Sequence, residues 1–193
     1  MKVAIIDYGA GNIFSVQLAL ERLGVESFLS SSWEAISTAD KVIFPGVGEA
    51  SSAMHKLKET GLDALIPTLK CPVLGICLGM QLLCGFSEEG ATQGLGVFDA
   101  HVLRFSNELK VPHMGWNTIK DLKSPLFDGF QNSAFMYLVH SYYVPIVSET
   151  IALTEYGIPF SSALQKNNFF GVQFHPEKSG NAGAQVLENF IKL

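Results

Sequence analysis

Charge is what this sequence has least of. Asp, Glu, Lys and Arg make up 16% of its 193 residues, against about a quarter in an average globular domain. A chain this poor in charge and 48% hydrophobic is not disordered, because disorder needs low hydrophobicity and high charge. Arginine is nearly missing, with only Arg22 and Arg104, and the formal net charge is −5. No basic stripe is present to track a nucleic acid, and no Lys/Arg-rich amphipathic segment to lie on a membrane. Neither is expected as a partner.

Cysteine is also sparse. Cys71, Cys77 and Cys84 cannot all pair internally and their spacing fits no zinc pattern. Reduced thiols in a cytoplasmic protein are the simplest expectation, with no metal and no cofactor. Long hydrophobic runs are missing too. The most apolar stretch, 71–86, is broken by Pro72, three glycines and Gln81, and is shorter than the roughly 20 residues a bilayer span requires. Asp7 comes too early in the chain for a signal peptide. The length suits one domain, 1–193, burying roughly 70% of the surface its unfolded form exposes. The low charge has two readings, a sheet of buried parallel strands or an apolar surface that meets a partner.

What is present falls into two halves. In the first, short apolar runs alternate with amphipathic stretches. Val3–Ile6, Val42–Phe44 and Val73–Ile76 read as buried strands, the second ended by Pro45-Gly46. Asn12–Leu23, Ser51–Thr60 and Leu78–Leu83 read as helices, with Gly24 as a terminator and Ser51 or Ser52 as a cap. Continuous apolar strands separated by helices predict a parallel sheet covered on both faces. In the second half, 97–105, 111–119, 134–144, 151–156, 161–165 and 171–174 read as β segments, partly antiparallel, and 181–192 as a closing helix.

The sharpest chemical signal is Gly75-Ile76-Cys77-Leu78-Gly79, a nucleophile between glycines where a strand runs into a helix. This is the logic of a nucleophile elbow. The turn is tight, so the neighbours at plus and minus two must be small. The helix that follows points its N-terminal amides at the sulfur and favours thiolate over thiol. A thiolate nucleophile needs a base. Of the five histidines, His55 lies on a polar helix and His101 in an ordinary β segment. His175 stands at the end of an apolar strand in Gly171-Val172-Gln173-Phe174-His175-Pro176-Glu177. Residues i and i+2 of extended chain share a face, so Glu177 can fix the His175 tautomer. Cys77, His175 and Glu177 then have the roles of a triad. The third element, Pro45-Gly46-Val47-Gly48, follows a buried strand. Its two glycines give the backbone freedom to offer an amide at Val47 or Gly48 to an oxyanion, beside the N–H of Leu78.

These three elements, in this order, resemble the class I (triad) glutamine amidotransferase family over nearly the whole chain. Finer stretches sharpen the likeness: 7–12 (Asp-Tyr-Gly-Ala-Gly-Asn), 111–117 (Val-Pro-His-Met-Gly-Trp-Asn) and 139–143 (Val-His-Ser-Tyr-Tyr). The resemblance implies a flavodoxin-like α/β fold with a central, mostly parallel sheet. It implies that Cys77 attacks the side-chain amide of glutamine, that His175 moves the proton and that Glu177 orients His175. It further implies that Gly48, Gln81 and the Ser141-Tyr142 backbone hold the glutamine. In the branch that shares the finer stretches, ammonia passes to a separate cyclase subunit, a (β/α)8 barrel, in a heterodimer. That cyclase makes imidazole glycerol phosphate and aminoimidazole carboxamide ribotide in histidine biosynthesis. Asn12, Trp116, Tyr137 and Lys178 are the expected partner-facing residues. Lys178 follows the His-Pro-Glu stretch, Asn12 ends the loop after the first strand, and Trp116 and Tyr137 are of the type enriched at interfaces. A glutaminase serving another synthase and a stand-alone cysteine hydrolase of related fold remain as alternatives.

Overall fold

The computed structural model describes residues 1–9 and 12–193. Ala10 and Gly11, the middle of the 7–12 stretch, lie outside the described residues. Among the described residues the parallel half of the main sheet consists of β1 (Val3–Ile6), β2 (Ser27–Ser30), β3 (Lys41–Gly46), β4 (Val73–Cys77) and β13 (Phe169–Val172). The strands between these in sequence are β5 (Cys84–Ser87), β6 (Thr92–Gln93), β7 (Phe98–Arg104), β8 (His113–Lys120), β9 (Ser133–His140), β10 (Tyr142–Tyr143), β11 (Thr150–Tyr156) and β12 (Ile158–Lys166). The main sheet runs β2-β1-β3-β4-β13-β12-β11-β8-β9, and a second, smaller sheet runs β10-β7-β5-β6. The pairs from β2 to β13 are parallel. Those from β13 out to β9 are antiparallel.

Every residue of β1, β3, β4 and β13 is buried, which is why 3–6, 42–44 and 73–76 read as unbroken apolar runs. Helices cover them: α1 (Ile13–Arg22), α2 (Trp33–Ser37), α3 (Ala50–Thr60), α4 (Leu62–Leu65), α5 (Leu78–Leu83) and α6 (Gly180–Lys192). Two apolar clusters form the core. One is centred on Phe44, Leu57 and Leu83, the other on Ile5, Phe160, Phe174 and Phe190.

The structure corrects several boundaries. Strand β3 continues through Pro45-Gly46. Its ladder with β1 ends at Ile43 while pairing with β4 runs on to Gly46, so Pro45 sits where one side of the strand needs no donor. Helix α3 is capped by Glu49, not by Ser51 or Ser52, because both serines are already helical. The Glu49 carboxylate accepts from Ser51 N–H at 3.4 Å and Ser52 N–H at 3.1 Å. The stretch 134–144 is two strands. β9 pairs with β8, the chain changes sheets at Ser141, and β10 pairs with β7.

The junction of β4 and α5 positions the site. Cys77 ends the strand and Leu78 opens the helix with no loop between them, and Cys77 adopts φ 54° and ψ −110°. Three glycines permit this. A Cβ on Gly79 would overlap the Phe44 carbonyl, one on Gly75 would lie 2.8 Å from the Met80 nitrogen, and one on Gly46 would lie 2.8 Å from the Gly79 nitrogen. Gly46 is therefore glycine for close packing, not for backbone freedom. In the 45–48 loop only Gly48, at φ +99° with open space around it, has the conformation glycine favours. Gly79→Ala should lower unfolding free energy by on the order of 3 kcal/mol, measured by denaturant titration. A loss below about 1 kcal/mol would show that the junction relaxes and the packing argument is wrong.

Candidate active site

The site lies at the carboxyl ends of β3, β4 and β13, where open α/β sheets place their ligands. A cavity of about 350 Å³ opens there, within the usual range for a small-molecule site. Val47, Gly48, Cys77, Leu78, Gln81, Ser141, Tyr142 and His175 all border it. The sequence-based candidates for nucleophile, base, oxyanion amides and glutamine pocket thus converge on one space. Glu177 stands behind His175. Its Oε1 lies 2.8 Å from His175 Nδ1, with both side chains almost wholly buried. This bond puts the proton of a neutral His175 ring on Nδ1 and leaves Nε2 for chemistry. Nε2 has no hydrogen-bond partner among the described residues. Burial alone would push the His175 imidazolium down. The adjoining Cys77 sulfur and then the Glu177 carboxylate outweigh burial and push it up to about 10.

The His175 backbone is clamped as well. Its N–H donates to the Tyr137 carbonyl at 2.9 Å. The Ser179 hydroxyl donates to the His175 carbonyl at 2.6 Å and accepts from Tyr137 N–H at 2.9 Å. The strand that carries Tyr137 therefore fixes the His175 backbone directly.

The four partner-facing candidates come from three places in the fold: the start of α1, the β8–β9 pair and the turn after His175. Lys178 is exposed and borders the cavity. Trp116, 56% exposed, and half-buried Tyr137 sit opposite each other on β8 and β9, ring centroids 6.2 Å apart. Asn12 borders a narrow cleft with His175 and Glu177 and accepts from the Ser15 hydroxyl at 2.8 Å. His55 is exposed beside Glu59, and His101 is exposed on β7.

Sequence reasoning missed four groups. Glu89 borders the cavity and accepts from Ala50 N–H at 2.9 Å. Gln173 places Nε2 3.7 Å from Cys77 Sγ; its position two residues before His175 was an available signal. Ser179 follows the His-Pro-Glu stretch by two. His113 and His140 are cross-strand neighbours with Nδ1 and Nε2 3.0 Å apart, a contact that needs the β8–β9 register to be seen. His140 Nδ1 also lies 2.7 Å from the Tyr142 carbonyl. Burial pushes both rings down, His140 to about 3, so both are neutral near pH 7.

The class I glutamine amidotransferases are the family to which this chain belongs; the family's model, glutamine amidotransferase class-I, matches residues 4–193. Several relatives that match end to end carry one subunit's name. "Imidazole glycerol phosphate synthase subunit HisH" of Bacteroides fragilis is 60% identical over 196 residues, covering 100% of both chains. Its namesake in Bacteroides thetaiotaomicron is 57% identical with the same coverage. The one in Vibrio cholerae is 47% identical, covering 99% of this chain and 98% of the relative. Among solved structures, a glutamine amidotransferase superposes with TM-score 0.78 at 19% identity, over 98% of this chain and 97% of its own. PurLQS from Thermotoga maritima does so with TM-score 0.75 at 15% identity, over 99% of this chain and 97% of its own. At such identities the likeness is one of fold.

The buried histidines give the site a pH signature. His140 titrates near 6.5 when unfolded and near 3 when folded. Between these values the unfolded chain binds the extra proton, so stability falls as pH drops through that window. Between pH 7 and pH 5 the wild type should lose about 2 kcal/mol more than His140→Gln in urea unfolding. Equal losses would mean that His140 is not held neutral by burial.

Proposed function

We propose that this chain is the glutaminase subunit of an imidazole glycerol phosphate synthase. The observation that carries the proposal is the elbow thiol of Cys77 sharing one cavity with His175, which the buried Glu177 carboxylate holds from behind. The end-to-end relatives named as that subunit favour this synthase over another.

In this reading Cys77 attacks the side-chain carbonyl carbon of glutamine as a thiolate, with the proton held on His175. The carbonyl oxygen becomes an oxyanion, which the Leu78 N–H at the head of α5 and an amide of Val47 or Gly48 stabilise. The C–N bond then breaks. His175 gives its proton to the departing nitrogen, and ammonia leaves a γ-glutamyl thioester on Cys77. Water attacks the thioester, His175 takes a proton from it, and glutamate departs with the thiolate restored. Glu177 keeps His175 in the productive tautomer throughout. Gly48, Gln81 and the Ser141-Tyr142 backbone contact the substrate. The Glu89 carboxylate in the cavity wall suits its α-ammonium group.

The partner is a cyclase subunit of the HisF type, a (β/α)8 barrel, in a cytoplasmic heterodimer. Asn12, Trp116, Tyr137 and Lys178 contribute to the docking surface, and the exposure of Trp116 supports this. Among the described residues no helix is long and apolar enough to cross a membrane. The cyclase converts a phosphoribulosyl precursor and ammonia to imidazole glycerol phosphate and aminoimidazole carboxamide ribotide.

Cys77→Ser tests the assignment in a complex reconstituted with the cyclase. Glutamine-dependent synthesis should fall by at least about 10³-fold, since the nucleophile's loss removes most of the triad's contribution. Ammonia-dependent synthesis should stay within about twofold of wild type, since the cyclase is untouched. Substantial glutaminase activity in the variant would overturn the assignment of Cys77.

A further inference from the structure

Gln173 is wholly buried, yet it has a polar side chain that an apolar residue of similar size could replace. Its orientation follows from its neighbours. Gln81 Nε2 lies 3.0 Å from the Tyr142 carbonyl and 2.9 Å from Gln173 Oε1. A carbonyl only accepts, so the Gln81 atom facing Tyr142 is the amide nitrogen. The Gln173 atom facing that nitrogen must then be its oxygen. This leaves Gln173 Nε2, a donor, toward Cys77 Sγ at 3.7 Å.

The hydrogen bonds continue outward without a break. The Tyr142 carbonyl requires a proton on His140 Nδ1, and a neutral His140 ring then offers a bare Nε2 to His113 Nδ1–H. The His113 ring in turn accepts at Nε2 from Asn117 Nδ2, at 3.2 Å. Asn117 is pinned because Nδ2 also donates to the Glu155 carbonyl at 3.0 Å and Oδ1 accepts from Thr118 N–H at 2.7 Å. With both rings neutral, one arrangement of protons satisfies the whole run.

The sulfur has a second close polar neighbour, the Val139 carbonyl at 3.8 Å. The two neighbours favour opposite states. A carbonyl can hold only a thiol, as acceptor of its S–H. An amide N–H donates to the sulfur and is strengthened when the sulfur is charged. We propose that Gln173 is a further catalytic residue, whose Nε2–H holds the Cys77 thiolate, and that Gln81 is the positioning residue that keeps that donor turned to the sulfur. The proposal rests on Cys77 being the nucleophile. It adds a donor to the sulfur besides the imidazolium of His175, and it gives Gln81 a task that does not depend on substrate.

The test reads the thiolate without glutamine or partner. The folded chain is treated with iodoacetamide at pH 7, and alkylation of Cys77 is followed by peptide mass spectrometry, with half-buried Cys71 as the reference in the same sample. Gln173→Met keeps the bulk and removes the donor. Cys77 alkylation relative to Cys71 should slow about tenfold, the effect of losing one hydrogen bond to a charged group. Gln81→Met leaves Gln173 in place but unlocks it, and should slow alkylation by a smaller factor of about three. An unchanged Cys77 rate in a folded Gln173→Met chain overturns the proposal. If that variant does not fold, Gln81→Met decides in the same way. Absence of Cys77 alkylation in the wild-type chain would instead strike the nucleophile assignment itself.

Discussion

The backbone of Cys77 is held at φ 54°, a region an L-residue enters only when its surroundings enforce it. That enforcement comes from three close approaches among β3, β4 and α5, each of which requires glycine. Gly46 and Gly79 let β3 lie against the first turn of α5, and Gly75 lets β4 lie against the same turn at Gly79 and Met80. The strained turn lifts the sulfur out of the sheet into the cavity and leaves the Leu78 amide beside it. Because these strands are parallel neighbours, the same sheet edge also delivers the end of β13, with Gln173 and His175, to the other side of the sulfur. The chemistry follows from how closely two strands and a helix are packed.

The antiparallel half of the sheet has a different task. β8 alternates, as any strand does. His113 and Asn117 face inward to the run of hydrogen bonds that ends on the Tyr142 carbonyl, while Met114 and Trp116 face outward and are exposed. β9 does the same with His140 and Tyr137. The surface proposed for the partner and the frame of the cavity are therefore two faces of one strand pair. Tyr137 adds a direct link, because its peptide holds both the His175 N–H and the Ser179 hydroxyl. Displacing this strand pair would be felt at His175 through the Tyr137 peptide and at the Cys77 sulfur through the Val139 carbonyl.

Much of this was legible in the sequence, for physical reasons that differ by element. The buried strands at 3–6, 42–44 and 73–76 announced themselves because a strand covered on both faces has to be apolar throughout. The elbow was legible because its sterics demand glycine at fixed offsets from the cysteine. The His175–Glu177 pair was expected from the shared face of an extended chain, whereas a 3-10 turn at Pro176–Lys178 is what brings the carboxylate back to the ring. Capping by Glu49 was hidden by serines that are commoner caps, and the break at Ser141 by a stretch that stays apolar while the chain changes sheets. Gly46 was read as a source of freedom when it serves packing, a distinction that depends on α5 lying against it. The His113–His140 contact joins residues 27 apart in sequence and depends on the register of two strands, which composition does not specify. Glu89 enters the cavity from a turn in the smaller sheet, which had no signature at all.

The central claim is that Cys77 forms and breaks a covalent bond to substrate. The most direct measurement is acid quenching of the complex with the cyclase during glutamine turnover, followed by mass spectrometry of the cysteine-containing peptides. The account predicts a γ-glutamyl adduct on the peptide carrying Cys77, which disappears as glutamine is exhausted. Sustained turnover with no adduct on Cys77, or an adduct on Cys71 or Cys84 instead, would contradict it.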